Sequence, residues 1–229
     1  YKEKYDLLGF VDANGLYHET QFFKAFTKGG LFMLDELDSS DAQVLLLINS
    51  AIGTGNSFYM TFGDNKKYSV HKDFYFVAAA NTYGTGADQK YVGRNQLDAA
   101  SLNRLIPFYI DYDRNLEKYL VKNPEILYLY WLIRDILRAN DMNYVISTRN
   151  IINADDLISA NCYDLDDIFR WTIIGAMNEW DLSIIAKNIK PYSNDKYVYK
   201  FFKFIERNYK LNYEQDEQND NGNVYKKGM

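Results

Sequence analysis

Leu31-Phe32-Met33-Leu34 runs straight into Asp35-Glu36, with Gly29-Gly30 immediately ahead. No other stretch restricts the fold as much. A short apolar run bounded by a turn signal reads as a buried strand. In open α/β sheets, ligands bind beyond the carboxyl ends of the strands, and this acidic pair falls there. Asp followed by Glu at such a point suits a hydrated Mg²⁺ and a water poised to attack a phosphate. Magnesium keeps several waters and takes only one or two carboxylates, so Asp35 can act through water. Glu36 can then orient or deprotonate the attacking water. Taken alone, an apolar run ending in acids also describes any strand that stops at a helix cap.

The bulk properties narrow the classes. With 229 residues the chain has room for one large domain or two modest ones. Its 47% hydrophobic and 25% charged content is ordinary for a soluble globular protein. A net charge of −5 and a pI of about 5.1 argue against a generally basic nucleic-acid surface, though not against a local patch. No apolar run reaches the roughly 18 to 20 residues of a membrane span, and no signal-peptide pattern opens the sequence. The single cysteine, Cys162, excludes an internal disulfide and fits a reducing compartment, so a cytoplasmic location and no membrane partner are expected. His18, His71 and Cys162 do not make a zinc cluster. The chain begins with Tyr1 rather than Met and reads as a piece of a longer protein.

Local signals then order the chain. Asp12-Ala13-Asn14-Gly15 between Leu7–Val11 and Leu16–His18 predicts a hairpin, since Asn-Gly favours the tight turns that hairpins use. Thr20 can cap a short helix over 21–26 that Gly29-Gly30 ends. Ser40-Asp41-Ala42-Gln43 reads as a capping box, followed by Val44, Leu47, Ile48, Ala51 and Ile52 at helical spacing, with Gly53 and Gly55 closing the helix. Residues 58–72 predict a second hairpin around Gly63-Asp64-Asn65. Residues 74–80 predict a second buried strand ending at Asn81-Thr82, and 84–93 a loop. A helix over about 96–104 leads to a third strand at 106–111. From about Arg114 helical spacing takes over, over 114–121, 124–139, 150–161, 164–178 and 180–188. Residues 197–210 carry an aromatic face, and 214–223 read as a solvated polar tail. The fold class is therefore α/β, with a parallel sheet in the first half and a helical second half. The expected divisions are 1–113, 114–190 and an extension over 191–229.

Three features converge on one chemistry. Asp35-Glu36 can hold metal and water. Asn81, at the end of the second strand, offers an amide to a phosphate or to the same water. Arg94 and Arg104 flank the helix before the third strand, and an arginine fork suits phosphate oxygens. Residue by residue, Asn81 reads equally as the start of a turn and Arg104 as a surface cation near a helix end.

As a set, these stretches resemble an AAA+ ATPase of the dynein-related, MoxR-like group, a type often found in phage and prophage genomes. Gly29 to Asp38 resembles Walker B, Ala79-Ala80-Asn81-Thr82 resembles sensor 1, and Tyr91 to Leu105 (YVGRNQLDAASLNRL) resembles the arginine-finger helix. Leu8-Gly9-Phe10-Val11-Asp12 is similar to a segment that this group carries before Walker B, and Ser147-Thr148-Arg149-Asn150 resembles sensor 2 in the helical lid. The resemblance covers about residues 5–190. It implies ATP and Mg²⁺ as cofactors, with Asp35 on the metal through water, and Glu36 as catalytic base. It implies Asn81 as γ-phosphate sensor and Arg104 as a finger reaching the neighbouring subunit, with Arg94 a second candidate for that task. Arg149 would contact the nucleotide. The whole protein would be a homo-oligomeric ring, a hexamer, acting on an unidentified protein partner. The two hairpins are candidates for contacts with a partner or a central pore.

One part of the pattern is missing. No G-x-x-x-x-G-K-[ST] occurs, and neither Gly53-Thr54-Gly55 nor Gly84-Thr85-Gly86 is followed by Lys-Ser/Thr. The family carries its P-loop upstream of a segment like Tyr1–Phe10, on a strand in the middle of the sheet. The chain is expected to lack that strand, leaving the strands from 74 and 106 without their common neighbour, and to hydrolyse little by itself. Two other functions compete: a catalytically inactive assembly or scaffold subunit, and an NTPase acting on nucleic acid in restriction or replication.

Overall fold

The structure, a computed structural model, describes residues 3–53, 59–82, 86, 93–97 and 99–211. The chain divides into two units, Tyr1–Tyr109 and Ile110–Met229. The first is mixed α/β with a small parallel sheet; the second is helical. Among the described residues no helix is long and apolar enough to cross a membrane.

In the first unit, Tyr5–Leu8 makes a helical turn (α1), and Phe10–Val11 (β1) pairs antiparallel with Tyr17–His18 (β2) across the Asn14-Gly15 turn. The hairpin is as expected, except that Leu7-Leu8 is helical rather than part of the first arm. Helix α2, Gln21–Lys28, starts where the Thr20 hydroxyl accepts from the Phe23 N–H at 3.0 Å. It stops at Gly29, whose φ is +86° and where a Cβ would lie 2.6 Å from His71 Nδ1. Strand β3, Gly30–Leu34, follows, and then α3, Ala42–Ala51. Its cap is Asp41, whose carboxylate accepts from the Gln43 N–H at 2.7 Å. The expected Ser40 cap is displaced by one residue, and the Ser40 hydroxyl is buried without a hydrogen bond. Tyr59–Thr61 (β4) and Lys67–Ser69 (β5) form the second hairpin.

Phe74–Ala78 (β6) pairs parallel with β3, Gly30 opposite Phe74 and Leu34 opposite Ala78. Side chains alternate across the pair. Phe32 and Leu34 are buried, and Phe22 of α2 meets Phe32, Phe74 and Phe62 at ring-centroid distances of 5.0, 6.0 and 6.1 Å. On the opposite face Leu31, Met33, Tyr75 and Val77 are exposed.

The predicted third strand does not form. Residues 106–111 take part in no ladder, and Ile106 and Phe108 are 80% and 83% exposed. An extended segment needs a neighbour for its backbone groups, and β6 has none but β3 among the described residues. The preceding helix is also shorter than expected, Ala99–Leu102 (α4). Apart from Gly86 and Gly93, the 84–93 loop lies outside the described residues, as do 54–58 and the 214–223 tail.

The second unit holds α5 (Arg114–Leu120), α6 (Leu127–Ala139), α7 (Thr148–Ala160), α8 (Leu165–Phe169), α9 (Glu179–Ile189) and α10 (Lys196–Asn208). A 3₁₀ turn at Pro124–Ile126 enters α6, and a π-helical turn at Arg170–Ile174 leaves α8. The apolar positions expected on α6, Ile126, Tyr130, Ile133 and Leu137, are all buried. Residues 191–229 are not a separate extension as far as they are described. Val198, Phe201, Phe204 and Ile205 of α10 lie in the same core as α6 and α9, because the aromatic face of α10 must be covered. The division into units falls between Tyr109 and Ile110, four residues before the expected boundary.

One buried ion pair ties this unit together. Glu117 accepts from Arg134 Nη2 at 2.8 Å, Arg134 Nη1 at 3.2 Å, Trp131 Nε1 at 2.6 Å and Thr148 Oγ1 at 2.7 Å. Arg134 Nε donates to the Ile146 carbonyl at 2.9 Å, and the Tyr112 ring lies 3.9 Å from the guanidinium carbon. Burial pushes the Glu117 pKa up, but the hydrogen bonds from Arg134, Thr148 and Trp131 outweigh it and hold it below 4.5.

Two outcomes are expected. Phe22→Ala destabilises the first unit by about 3–5 kcal/mol, read by denaturant unfolding. Glu117→Gln destabilises the second by about 3–5 kcal/mol, because it leaves Arg134 as an unpaired buried charge. A carboxylate with a lowered native pKa contributes stability above its unfolded pKa and loses it as pH falls through the native value. The wild-type melting temperature therefore drops as pH falls below about 4.5, and this part of the drop is reduced in Glu117→Gln.

Candidate functional site

The parallel register brings the carboxyl ends of β3 and β6 to one side. The ladder continues one step past the strands: the Ala79 N–H donates to the Leu34 carbonyl at 2.9 Å, and the Leu37 N–H to the Ala79 carbonyl at 2.8 Å. The loops carrying Asp35-Glu36 and Asn81-Thr82 are thus held side by side.

Asp35 is exposed, and one of its oxygens, Oδ1, accepts from the Glu36 N–H at 2.9 Å. Its other oxygen makes no hydrogen bond among the described residues. Such a carboxylate fits a Mg²⁺ ion that keeps most of its waters. Glu36 sits in the left-handed region, φ 54° and ψ 47°, which costs a non-glycine residue about 1–3 kcal/mol. Its Oε1 lies 3.4 Å from Arg94 Nη2, and its Oε2 accepts from Ser39 Oγ at 3.3 Å. Asn81 is exposed; its backbone N–H is engaged, while its side-chain amide makes no hydrogen bond among the described residues.

The residue that joins these loops is Asp38, whose sequence position carried no role of its own beyond ending the Gly29–Asp38 stretch. It is fully buried. Its Oδ2 accepts from the Asn81 N–H at 3.1 Å, the Thr82 N–H at 2.9 Å and Thr82 Oγ1 at 2.9 Å. Its Oδ1 accepts from Arg94 Nη1 at 3.2 Å. Asp38 and Thr82 were missed as site residues because nothing in D-E-L-D separates a buried acid from a solvated helix cap. The signal that was available is the polar Asn81-Thr82 pair at the end of an otherwise apolar strand.

Asp35, Glu36, Asn81 and Arg94 therefore come together. Arg104 does not join them. It is exposed and lines an open cavity of about 580 Å³ with His71, Lys72, Phe74 and Tyr75, at the end of β6 opposite to Asn81. Arg149 belongs to the second unit. It is exposed in the first turn of α7, where Asn150 Oδ1 accepts from the Ser147 N–H at 3.0 Å and from Ser147 Oγ at 2.6 Å. Arg149 has no ion-pair partner among the described residues, and a cation at a helix N-terminus faces the positive end of the dipole.

The arrangement presents two exposed carboxylates and a side-chain amide beyond the carboxyl ends of β3 and β6; among the described residues no group of three or more His, Cys, Asp or Glu stands together to hold a metal, so an ion there would have to keep most of its waters. In comparisons with known proteins, no family model matches the chain, and no curated protein matches it.

Proposed function

We propose that these residues are the C-terminal part of a Mg²⁺-dependent AAA+ ATPase, which hydrolyses ATP as a ring and uses the cycle to remodel a partner. The observation that carries this reading is the parallel β3–β6 pair, with Asp35-Glu36 and Asn81 at the same carboxyl edge and Asp38 bonded between their loops. In this reading Asp35 holds the metal through water, and the ion supplies counter-charge to the phosphates. Glu36 orients a water against the γ-phosphorus and takes its proton, and ADP leaves as phosphate forms. Asn81 donates its amide to the γ-phosphate or to that water. Arg104, exposed and away from its own Glu36 loop, serves the nucleotide of a neighbouring subunit. Arg149 contacts nucleotide from the helical unit. The phosphate cradle lies outside these residues, since they contain no G-x-x-x-x-G-K-[ST]. Among the described residues β6 pairs with no strand but β3, and this supports the reading, because a strand on its other side would satisfy those backbone groups.

The test is Mg²⁺-dependent ATP turnover by the full-length polypeptide. Glu36→Gln is expected to bind ATP normally and to lose turnover by about 10²–10⁴-fold; wild-type turnover in that variant removes Glu36 from its role. Arg104→Ala is expected to lose about 10³-fold or more and to regain turnover in mixed rings where a neighbour supplies Arg104. No turnover by the full-length wild type would sink the ATPase reading.

A further inference from the structure

Arg94 and Glu36 are held very differently. The Arg94 side chain is only 13% exposed, and its Nη1 is committed to the fully buried Asp38. The backbone beside it is pinned as well: the Asn95 N–H donates to the Asp38 carbonyl at 2.6 Å, and Asn95 Nδ2 to the Ser40 carbonyl at 2.8 Å. The Glu36 side chain is 58% exposed, and among the described residues its carboxylate has only the 3.4 Å contact from Arg94 and the 3.3 Å contact from Ser39. A fixed cation thus stands against a loosely held carboxylate.

Arg94 cannot turn outward to another molecule without cost. A buried carboxylate stripped of its charge partner is strongly disfavoured, and Asp38 has no solvent to replace the guanidinium. The two oxygens of Asp38 also divide their work. One takes the N–H groups of Asn81 and Thr82, and the other takes Arg94. The order Asn81 loop, Asp38, Arg94, Glu36 is therefore continuous through hydrogen bonds and two ion-pair contacts.

We propose that Arg94 is a positioning residue acting within its own subunit: anchored by Asp38, it sets the carboxylate of Glu36 for attack on the phosphate. This replaces the role of second finger towards a neighbour that the family resemblance implies. It rests on the ATPase reading. The link also couples the loop carrying Asn81 to the base, so that a phosphate held at Asn81 and a correctly aimed Glu36 favour each other.

The experiment uses full-length protein with Mg²⁺ and ATP. Arg94→Ala and Asp38→Asn are each expected to lower kcat by about 10–100-fold, the usual cost of losing a residue that orients a metal-site or catalytic group, with KM for ATP within about twofold. Arg94→Lys, which keeps the charge on Asp38 but not the fork to Glu36, is expected to melt like wild type and still lose kcat. It carries the test if Arg94→Ala does not fold. The decisive measurement is turnover by mixed rings, purified through two different tags, of an Arg94 variant with Glu36→Gln. If Arg94 acts within its own subunit, every site lacks either the base or its guide, and the mixture is no faster than the average of its parents. Turnover several-fold above both parents would show Arg94 working across the interface and would overturn the proposal, as would an unchanged kcat in Arg94→Lys and Arg94→Ala. An inactive wild type would instead remove the ATPase reading, and this inference with it.

Discussion

The carboxylate of Asp38 is the interaction on which the candidate site depends. A charge with no access to water must be matched by donors, or it costs several kcal/mol. Asp38 meets this with three donors from the Asn81-Thr82 segment and one from Arg94. The consequence is geometric. Segments 43 to 56 residues apart in the chain are drawn to one point, two residues beyond Glu36. Glu36 itself stays exposed and bent into the left-handed region, as Asn65, Asp141 and Asn161 also are.

The strands give that point a rigid base. Backbone pairing runs along the whole of β3 and β6, and the aromatic rings of α2 cover one face. The other face is different. Leu31 stands opposite Tyr75 and Met33 opposite Val77, and all four are exposed. Purely parallel sheets are normally covered on both faces, so the first unit is only half clad among the described residues. The helical unit closes its core from α6 through α10, with Glu117 and Arg134 as its one deeply buried ion pair among the described residues.

How much of this was legible can be judged from particular residues. The Asn14-Gly15 hairpin, α2 with its Thr20 cap and Gly29 stop, the two paired strands (though not their expected burial, since one face is exposed) and the buried face of α6 all follow from patterns within a few residues of one another. Such signals survive because turn chemistry and periodicity are local. The errors have a different origin. Ser40 lost the cap to its neighbour Asp41, the stronger acceptor. The 106–111 run has a strand's composition but pairs with no strand among the described residues, and composition does not supply one. The aromatic face of α10 reads as an extension until the core that receives it is known.

The sequence by itself therefore determined both hairpin turns, α2, the β3 and β6 strands and the helical character of the second half, and which polar residues follow the two strands: Asp35-Glu36 after β3 and Asn81 after β6. Only the tertiary structure decided that these ends are neighbours, that Asp38 is the buried partner of both loops, and that Arg94 faces its own Glu36 while Arg104 does not. The reason is physical. Apolar periodicity reports burial averaged over an element, whereas the fate of a single charge depends on which donors the fold brings to it from distant parts of the chain.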